Sequence, residues 1–288
     1  MQLANEKQPG YLVALRYAIL MVVTALFVFP IAWMLLTSFK PAEAIMVSPP
    51  VFTFKPILGN YVEAITKYRF LGYIGNSLIV SVTSTVIVIV LASLAAYSFA
   101  RYNTGDGHLL FFILSTKMFP AISVILPYFL IFRTVGNNPV GNMLQLGLDQ
   151  HGALIVSYVV FNLPFATWLL VSFFQDIPRD VEHSARLDGL SRVQVLRQIV
   201  VPLAAPGIAV TAIFTMIFAW NEFLFASILT RVNAATATVG VESFFTLQGI
   251  QWGPVAAAAT LSVLPMMAFV LSMQRYMVRG LTFGAVKG

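Results

Sequence analysis

The chain has 288 residues, of which 59% are hydrophobic and 10% charged, with a net charge of +6 and a mean hydropathy of +0.85. Soluble domains carry about a quarter charged residues, so this composition excludes an ordinary water-soluble globule and calls for lipid as the solvent. Cysteine is absent, which excludes disulfides, thiol catalysis and thiolate metal ligands. The basic residues flank apolar runs, a placement that fits anionic phospholipid and not nucleic acid.

A bilayer core of about 30 Å takes about 20 helical residues, and six runs are predicted to be spans. The first, 17–39, follows Lys7 and Arg16 and stops at Lys40-Pro41; it is longer than the roughly 7–15-residue core of a signal peptide. Residues 41–69 are interrupted by Ser48-Pro49-Pro50 and Lys55-Pro56 and read as an ordered loop with short helical pieces. Span two covers about 71–100, and the turn Arg101 to Gly107 leads into span three, about 108–132. Pro120 and Pro127 remove backbone donors there and predict a kinked helix. After Asn137-Asn138-Pro139, span four covers about 152–174, span five about 207–229 and span six about 254–275. All six are assigned to a single transmembrane domain, 1–288.

Lys and Arg set the orientation. With the N-terminus inside, the inner side carries Lys7, Arg16, Arg101, Arg179, Arg186, Arg192, Arg197, Arg275, Arg279 and Lys287. The outer side carries the fewer Lys40, Lys55, Lys67, Arg69, Arg133 and Arg231. Both termini and the polar loop 175–206 are therefore expected in the cytoplasm.

That loop is the chain's one long polar stretch between spans. From Asp180 to Asp188 it is predicted to make two helical turns, with Val181 and Ala185 toward one side and Glu182 paired to Arg186 at i,i+4. Gly189 ends the helix by taking the left-handed conformation. A second amphipathic segment, Val193 to Val201, stops at Pro202. The product is a rigid helix-turn-helix outside the membrane, tied to spans four and five.

Here the sequence resembles the inner-membrane permease subunits of binding-protein-dependent ABC importers. Their signature is Glu-Ala-Ala, three residues, Gly, nine residues, Ile, one residue, Leu-Pro. Asp188-Gly189, Ile199 and Pro202 match it in spacing, with Val201 for leucine, whereas His183-Ser184-Ala185 stands where Glu-Ala-Ala is usual and Glu182 lies one residue earlier. Asn162-Leu163-Pro164-Phe165, Ala219-Trp220-Asn221-Glu222-Phe223 and the tail Gly280 to Gly288 are similar to the carbohydrate branch, in particular the second permease of maltose-type systems. The resemblance covers nearly the whole chain.

The resemblance implies an all-α fold of the type I importer class: six transmembrane helices with a cytoplasmic coupling loop between spans four and five. It implies a second permease as heterodimer partner, two nucleotide-binding subunits that hold ATP and Mg, and a periplasmic or lipid-anchored solute-binding protein. The membrane would be the bacterial inner membrane. The coupling residues would be Glu182, His183, Ser184, Ala185, Asp188, Gly189, Ile199 and Pro202. The outer loop with Gly249, Gln251 and Trp252 would reach the binding protein, and the tail would contact the ATPase dimer. No cofactor is expected in this chain, because it carries no G-x-x-x-x-G-K-[ST] loop.

Within the spans, Lys117, Trp220, Asn221 and Glu222 are candidates for the translocation path, since intramembrane charges are costly and call for a partner or a wet cavity. Trp can stack on a pyranose while Asn and Glu bond hydroxyls. Glu222 either lines this path or makes a buried hydrogen bond that fixes the bundle. Lys117 either meets an anionic group of the substrate, pairs with Glu222 or snorkels to the interface. His108, His151 and His183 lie too far apart for a metal cluster, and no H-E-x-x-H or G-x-S-x-G constellation argues for an intramembrane enzyme. An ion-coupled secondary transporter is the competing reading, but the paired discontinuous helices expected of one are missing.

Overall fold

The computed structural model describes residues 10–247 and 249–284, so Lys7, Lys287 and the last residues of the tail motif lie outside the described residues. Among those described, four helices are each long and apolar enough to cross a bilayer: Gly10–Ser38, Phe70–Tyr102, His151–Gln175 and Trp252–Gln274. Two bent pairs raise the number to as many as six: Thr104–Thr116 with Ala121–Gly136, at 82°, and Arg192–Leu203 with Ala205–Trp220, at 79°.

The described residues form two compact units, those up to Tyr68 with those between Phe244 and Leu261, and those between Arg69 and Ser243 with those from Ser262 onward. The first holds α1 (Gly10–Ser38) and α2 (Gly59–Thr66). Asn60 joins them: its side-chain amide donates to the carbonyls of Ser38 and Lys40, 2.9 Å each. The Lys40 ammonium is buried and sits 4.2 Å from the centre of the Trp33 ring, a cation–π contact.

The second unit is built on α3 (Phe70–Tyr102). It continues through α4 (His108–Thr116), α5 (Ala121–Gly136), the short α6 (Pro139–Met143) and α7 (His151–Gln175). After it come α8 (Arg179–Leu187), α9 (Arg192–Val195), a π-helical turn at Leu196–Val200 and α10 (Val201–Leu203). The unit then runs through α11 (Ala205–Trp220), α12 (Leu224–Leu229) and α13 (Ala237–Gly240). Next along the chain are the strands β1 (Phe245–Thr246) and β2 (Gly249–Ile250), antiparallel, and α14 (Trp252–Gly284).

Small residues explain how α3 packs. Ser77, Ser81, Ser84, Val88, Ala92, Ala96 and Ala100 recur at three- and four-residue spacing and are all buried. Such a stripe lets helix backbones approach closely where lipid supplies no hydrophobic drive. Gly207, at the start of α11, extends the rule: a Cβ there would lie 2.2 Å from the Phe173 ring. The opposite face of α3 shows Val82, Val86, Val90 and Leu94 outward, as a lipid-facing surface requires.

Three predicted spans differ from the observed helices. The helix of span one already includes residues 10–16. Span three is two helices: Pro120 stands between them with ψ 123°, outside the helical region, so the chain turns instead of kinking. Span five stops at Trp220 and resumes at Leu224. No Pro or Gly marks that break; polar side chains serve the freed backbone groups. Asn221 Nδ2 donates to the Ile217 carbonyl at 2.9 Å, and Thr238 Oγ1 donates to the Glu222 carbonyl at 2.8 Å.

Candidate functional site

The 175–206 loop folds as expected in outline. At the end of α8, Gly189 has φ +89°, its N–H bonds the Arg186 carbonyl at 3.1 Å, and the Leu190 N–H bonds the Ala185 carbonyl at 3.2 Å. That is a Schellman closure, which needs a residue free of a Cβ at the left-handed position. Ser191 then caps α9 with a reciprocal capping box to Gln194. Ala185, Val195, Leu196 and Val200 bury into one apolar cluster with Ala96 and Ala100 of α3 and Leu170 and Phe174 of α7. The helix-turn-helix is therefore gripped by α3 as well as by the helices before and after it.

Glu182 corrects the sequence reading. It does not pair with Arg186; it turns inward and forms an ion pair with Arg101 at the end of α3, both side chains 7% exposed. Tyr97 Oη donates to the other carboxylate oxygen at 3.0 Å, and Arg101 Nη2 donates to the Ile177 carbonyl at 3.0 Å. Val181, predicted to turn to the same side as Ala185, is exposed. His183, Ser184, Asp188 and Pro202 are exposed, Ala185 is buried and Ile199 is half-buried.

Inside the bundle, Lys117, Tyr158, Phe161, Asn162, Asn221 and Glu222 are among the residues that line a cavity of about 360 Å³. Lys117 sits where α4 ends, and its Nζ donates to the Phe161 carbonyl at 2.9 Å and reaches Asn162 Oδ1 at 3.5 Å. The Glu222 carboxylate accepts the N–H groups of Phe225 (3.0 Å) and Ala226 (3.2 Å), satisfying donors that the first turn of α12 leaves free. The carboxylate thus fixes the helix break and also lines the cavity. Of the readings of Lys117, an ion pair with Glu222 is not formed; among the described residues the ion pairs are Lys67–Glu63 and Arg101–Glu182.

Trp220 does not reach the cavity. At 7% exposure it packs into the bundle, so it is not available to stack on a solute here. Tyr158 and Asn162 were missed as lining residues. The Tyr158 hydroxyl is buried in the cavity wall, which Glu222 also lines. The signal for Asn162 was available, since an amide in an apolar run two residues before Pro164 needs a polar environment.

At the other end of α7, the Asp149 carboxylate accepts the backbone N–H groups of Arg231, Val232, Asn233 and Ala234 at 2.9–3.2 Å, and the Asn233 side-chain amide at 2.9 Å. Partial desolvation pushes its pKa up, but the four amides outweigh this and hold it below the usual carboxylate value. Of the outer-loop candidates, Gly249 lies in β2, and Gln251 and Trp252 line a cavity of about 180 Å³ with Asn60 and Glu63. Gln248 lies outside the described residues. His151 hydrogen-bonds Asn76 at 2.8 Å, and no group of three potential metal ligands occurs among the described residues.

Apolar helices around a largely apolar cavity that carries a few polar groups, with a helix-turn-helix beside them, fit the membrane subunit of a solute transporter. The chain belongs to the family of binding-protein-dependent transport system inner membrane components, whose profile matches residues 88–283. It is 38% identical to a probable ABC transporter permease protein of Sinorhizobium fredii over 92% of each chain. It is 36% identical to the trehalose/maltose transport system permease MalG of Thermococcus litoralis, over 94% of this chain and 95% of that one. Among solved structures, a chain of a bacterial ABC transporter that imports the acidic polysaccharide alginate matches with a TM-score of 0.74. That match covers 94% of this chain and 98% of the other at 19% identity, and it shows the shared fold. The chain is thus a multi-pass membrane protein and a transport subunit, not an enzyme.

Proposed function

We propose that this chain, acting as one permease domain, forms half of the translocation path of an ABC importer for a sugar or sugar-like solute. A second permease completes the path, and two nucleotide-binding subunits bind ATP and Mg and drive it. A periplasmic or lipid-anchored binding protein delivers the solute. The chain sits in the bacterial inner membrane with both termini cytoplasmic, so the 175–206 loop faces the ATPase. The observation that carries this reading is the mechanical one: α8 is closed by Gly189, packed on α3 and α7, and bolted to α3 through Glu182 and Arg101. A push on α8 moves those helices as a body.

The solute class is supported by the cavity, which offers an ammonium, two amides, a hydroxyl and aromatic faces to a polyhydroxylated ligand. The relative from Thermococcus litoralis, named for trehalose and maltose transport, points the same way.

Two measurements test the proposal. Uptake by the reconstituted importer is expected to stop with vanadate and to survive a protonophore; the opposite pattern overturns it. Gly189→Pro removes the N–H that bonds Arg186 and cannot adopt φ +89°. ATP hydrolysis is expected to continue while uptake falls, and unchanged uptake per ATP would reject the lever.

A further inference from the structure

The exposed face of α8 is cationic because its buried acid is already engaged. Glu182 is neutralised from behind by Arg101. Arg179, His183 and Arg186 stand at i, i+4 and i+7, one stripe of the helix, and all three are exposed. With Tyr97, Arg101 and Tyr102 at the end of α3 and the Glu182 carboxylate they surround a cavity of about 70 Å³, so that three guanidinium groups stand against one carboxylate. Asp180 and Asp188 lie off this stripe, toward the side of the helix that carries Ser184. Arg179 makes one long contact, Nη2 to the Ala100 carbonyl at 3.4 Å, and the Arg186 guanidinium has no hydrogen-bond or ion-pair partner among the described residues. His183 adds a ring that is neutral or cationic and never an anion.

We propose that this cavity receives a carboxylate side chain of the nucleotide-binding subunit, so that the docking contact is cationic on the permease side and acidic on the partner side. The proposal rests on the docking reading above and gives it a polarity. Guanidinium groups match a carboxylate in a planar, two-point geometry that a lysine or a neutral side chain does not offer. A face of this sign also rejects partners that present a basic residue, since like charges brought together at an interface repel.

The test uses the whole importer complex. A photoreactive benzoylphenylalanine placed at position 183 or, as a second site, at 184 is irradiated in the assembled complex, and the cross-linked peptide is identified by mass spectrometry. A nucleotide-binding-subunit peptide carrying Asp or Glu at the contact is expected. His183→Glu and Arg186→Glu are each expected to weaken co-assembly about tenfold or more, and reversing the partner's acid to Lys is expected to restore it. A cross-link to a nucleotide-binding-subunit segment whose facing residues are Lys or Arg, or tighter assembly of His183→Glu, overturns the polarity and leaves the docking reading standing. Cross-links only to lipid or to the second permease overturn both. Should a variant fail to assemble, the unmodified complex still decides: association that weakens with ionic strength and is competed by poly-glutamate supports the proposal, and salt-independent association rejects it.

Discussion

The two ends of α7 are held in different ways by the same chemical group. Beyond its C-terminal end, the Glu182 carboxylate of α8 is met by side chains, the Arg101 guanidinium and the Tyr97 hydroxyl. Just before its N-terminal end, the Asp149 carboxylate is met by four consecutive backbone amides of the segment after α12. A side-chain latch depends on two particular residues and fails when either is lost. A backbone latch depends on one, because its donors belong to whatever residues occupy positions 231–234. The first arrangement suits a joint whose load has to be transmitted from one element to another, and the second suits a loop that only has to stay where it is.

Arg101→Met should therefore have the largest effect. It leaves the Glu182 carboxylate buried without its cation, and losing one member of a buried pair costs about 3–5 kcal/mol. The expected result is a large drop in the melting temperature of the purified chain and in the amount assembled. Adding Glu182→Gln should recover part of the loss, since the uncompensated charge is then gone. A single variant as stable as the parent would mean that the latch carries no load.

Asp149→Ala comes next. Charge-assisted hydrogen bonds contribute about 1.5–3 kcal/mol, reduced here because the site is partly open to water. The pH dependence follows from the lowered pKa. A carboxylate with a depressed folded-state pKa stabilises fully above its unfolded value of about 3.9 and loses that contribution as pH falls through the lower folded value. Thermal melts at pH 7 should separate parent from Asp149→Ala, and the gap should narrow as pH falls through the lowered folded value. A gap independent of pH would show that the carboxylate is not the holding group.

How much of this was readable beforehand depends on the range of each interaction. The Gly189-to-Pro202 spacing and the two arms of the loop are local, and helix periodicity with a glycine stop exposes them. The Glu182 partner is not local: Arg101 lies 81 residues away, whereas sequence spacing offered Arg186 within one turn. Asp149 left no trace either, because its partners are backbone amides that every residue possesses. The apolar runs gave the spans, but the break after Trp220 has no Pro or Gly to announce it. Trp220 was a candidate for the path through its place beside Asn221 and Glu222 and its stacking chemistry, but it packs into the bundle, and the cavity draws on Tyr158 and Asn162 of α7 besides Asn221 and Glu222.

Glu222 sharpens the comparison from inside the bundle, where a carboxylate also answers backbone amides, those of Phe225 and Ala226. Its loss resembles the loss of a helix cap, about 0.5–2 kcal/mol. Glu222→Ala should lower the melting temperature by less than Asp149→Ala and yet reduce uptake, because the same side chain lines the cavity. Uptake unchanged at normal assembled levels would leave Glu222 as a cap alone.

The smallest effect should come from the donor side of the Asp149 latch. Asn233→Ala deletes the one side-chain donor, Nδ2 at 2.9 Å, and leaves the backbone N–H groups of residues 231–234 in place. An exposed hydrogen bond of this kind contributes about 1 kcal/mol or less. The expected shift is therefore close to the resolution of a thermal melt, in contrast to Arg101→Met, which also removes a donor to a carboxylate. If Asn233→Ala instead matched Asp149→Ala, the amide side chain and not the backbone would be doing the holding. The distinction between the two ends of α7 would then collapse into two side-chain latches.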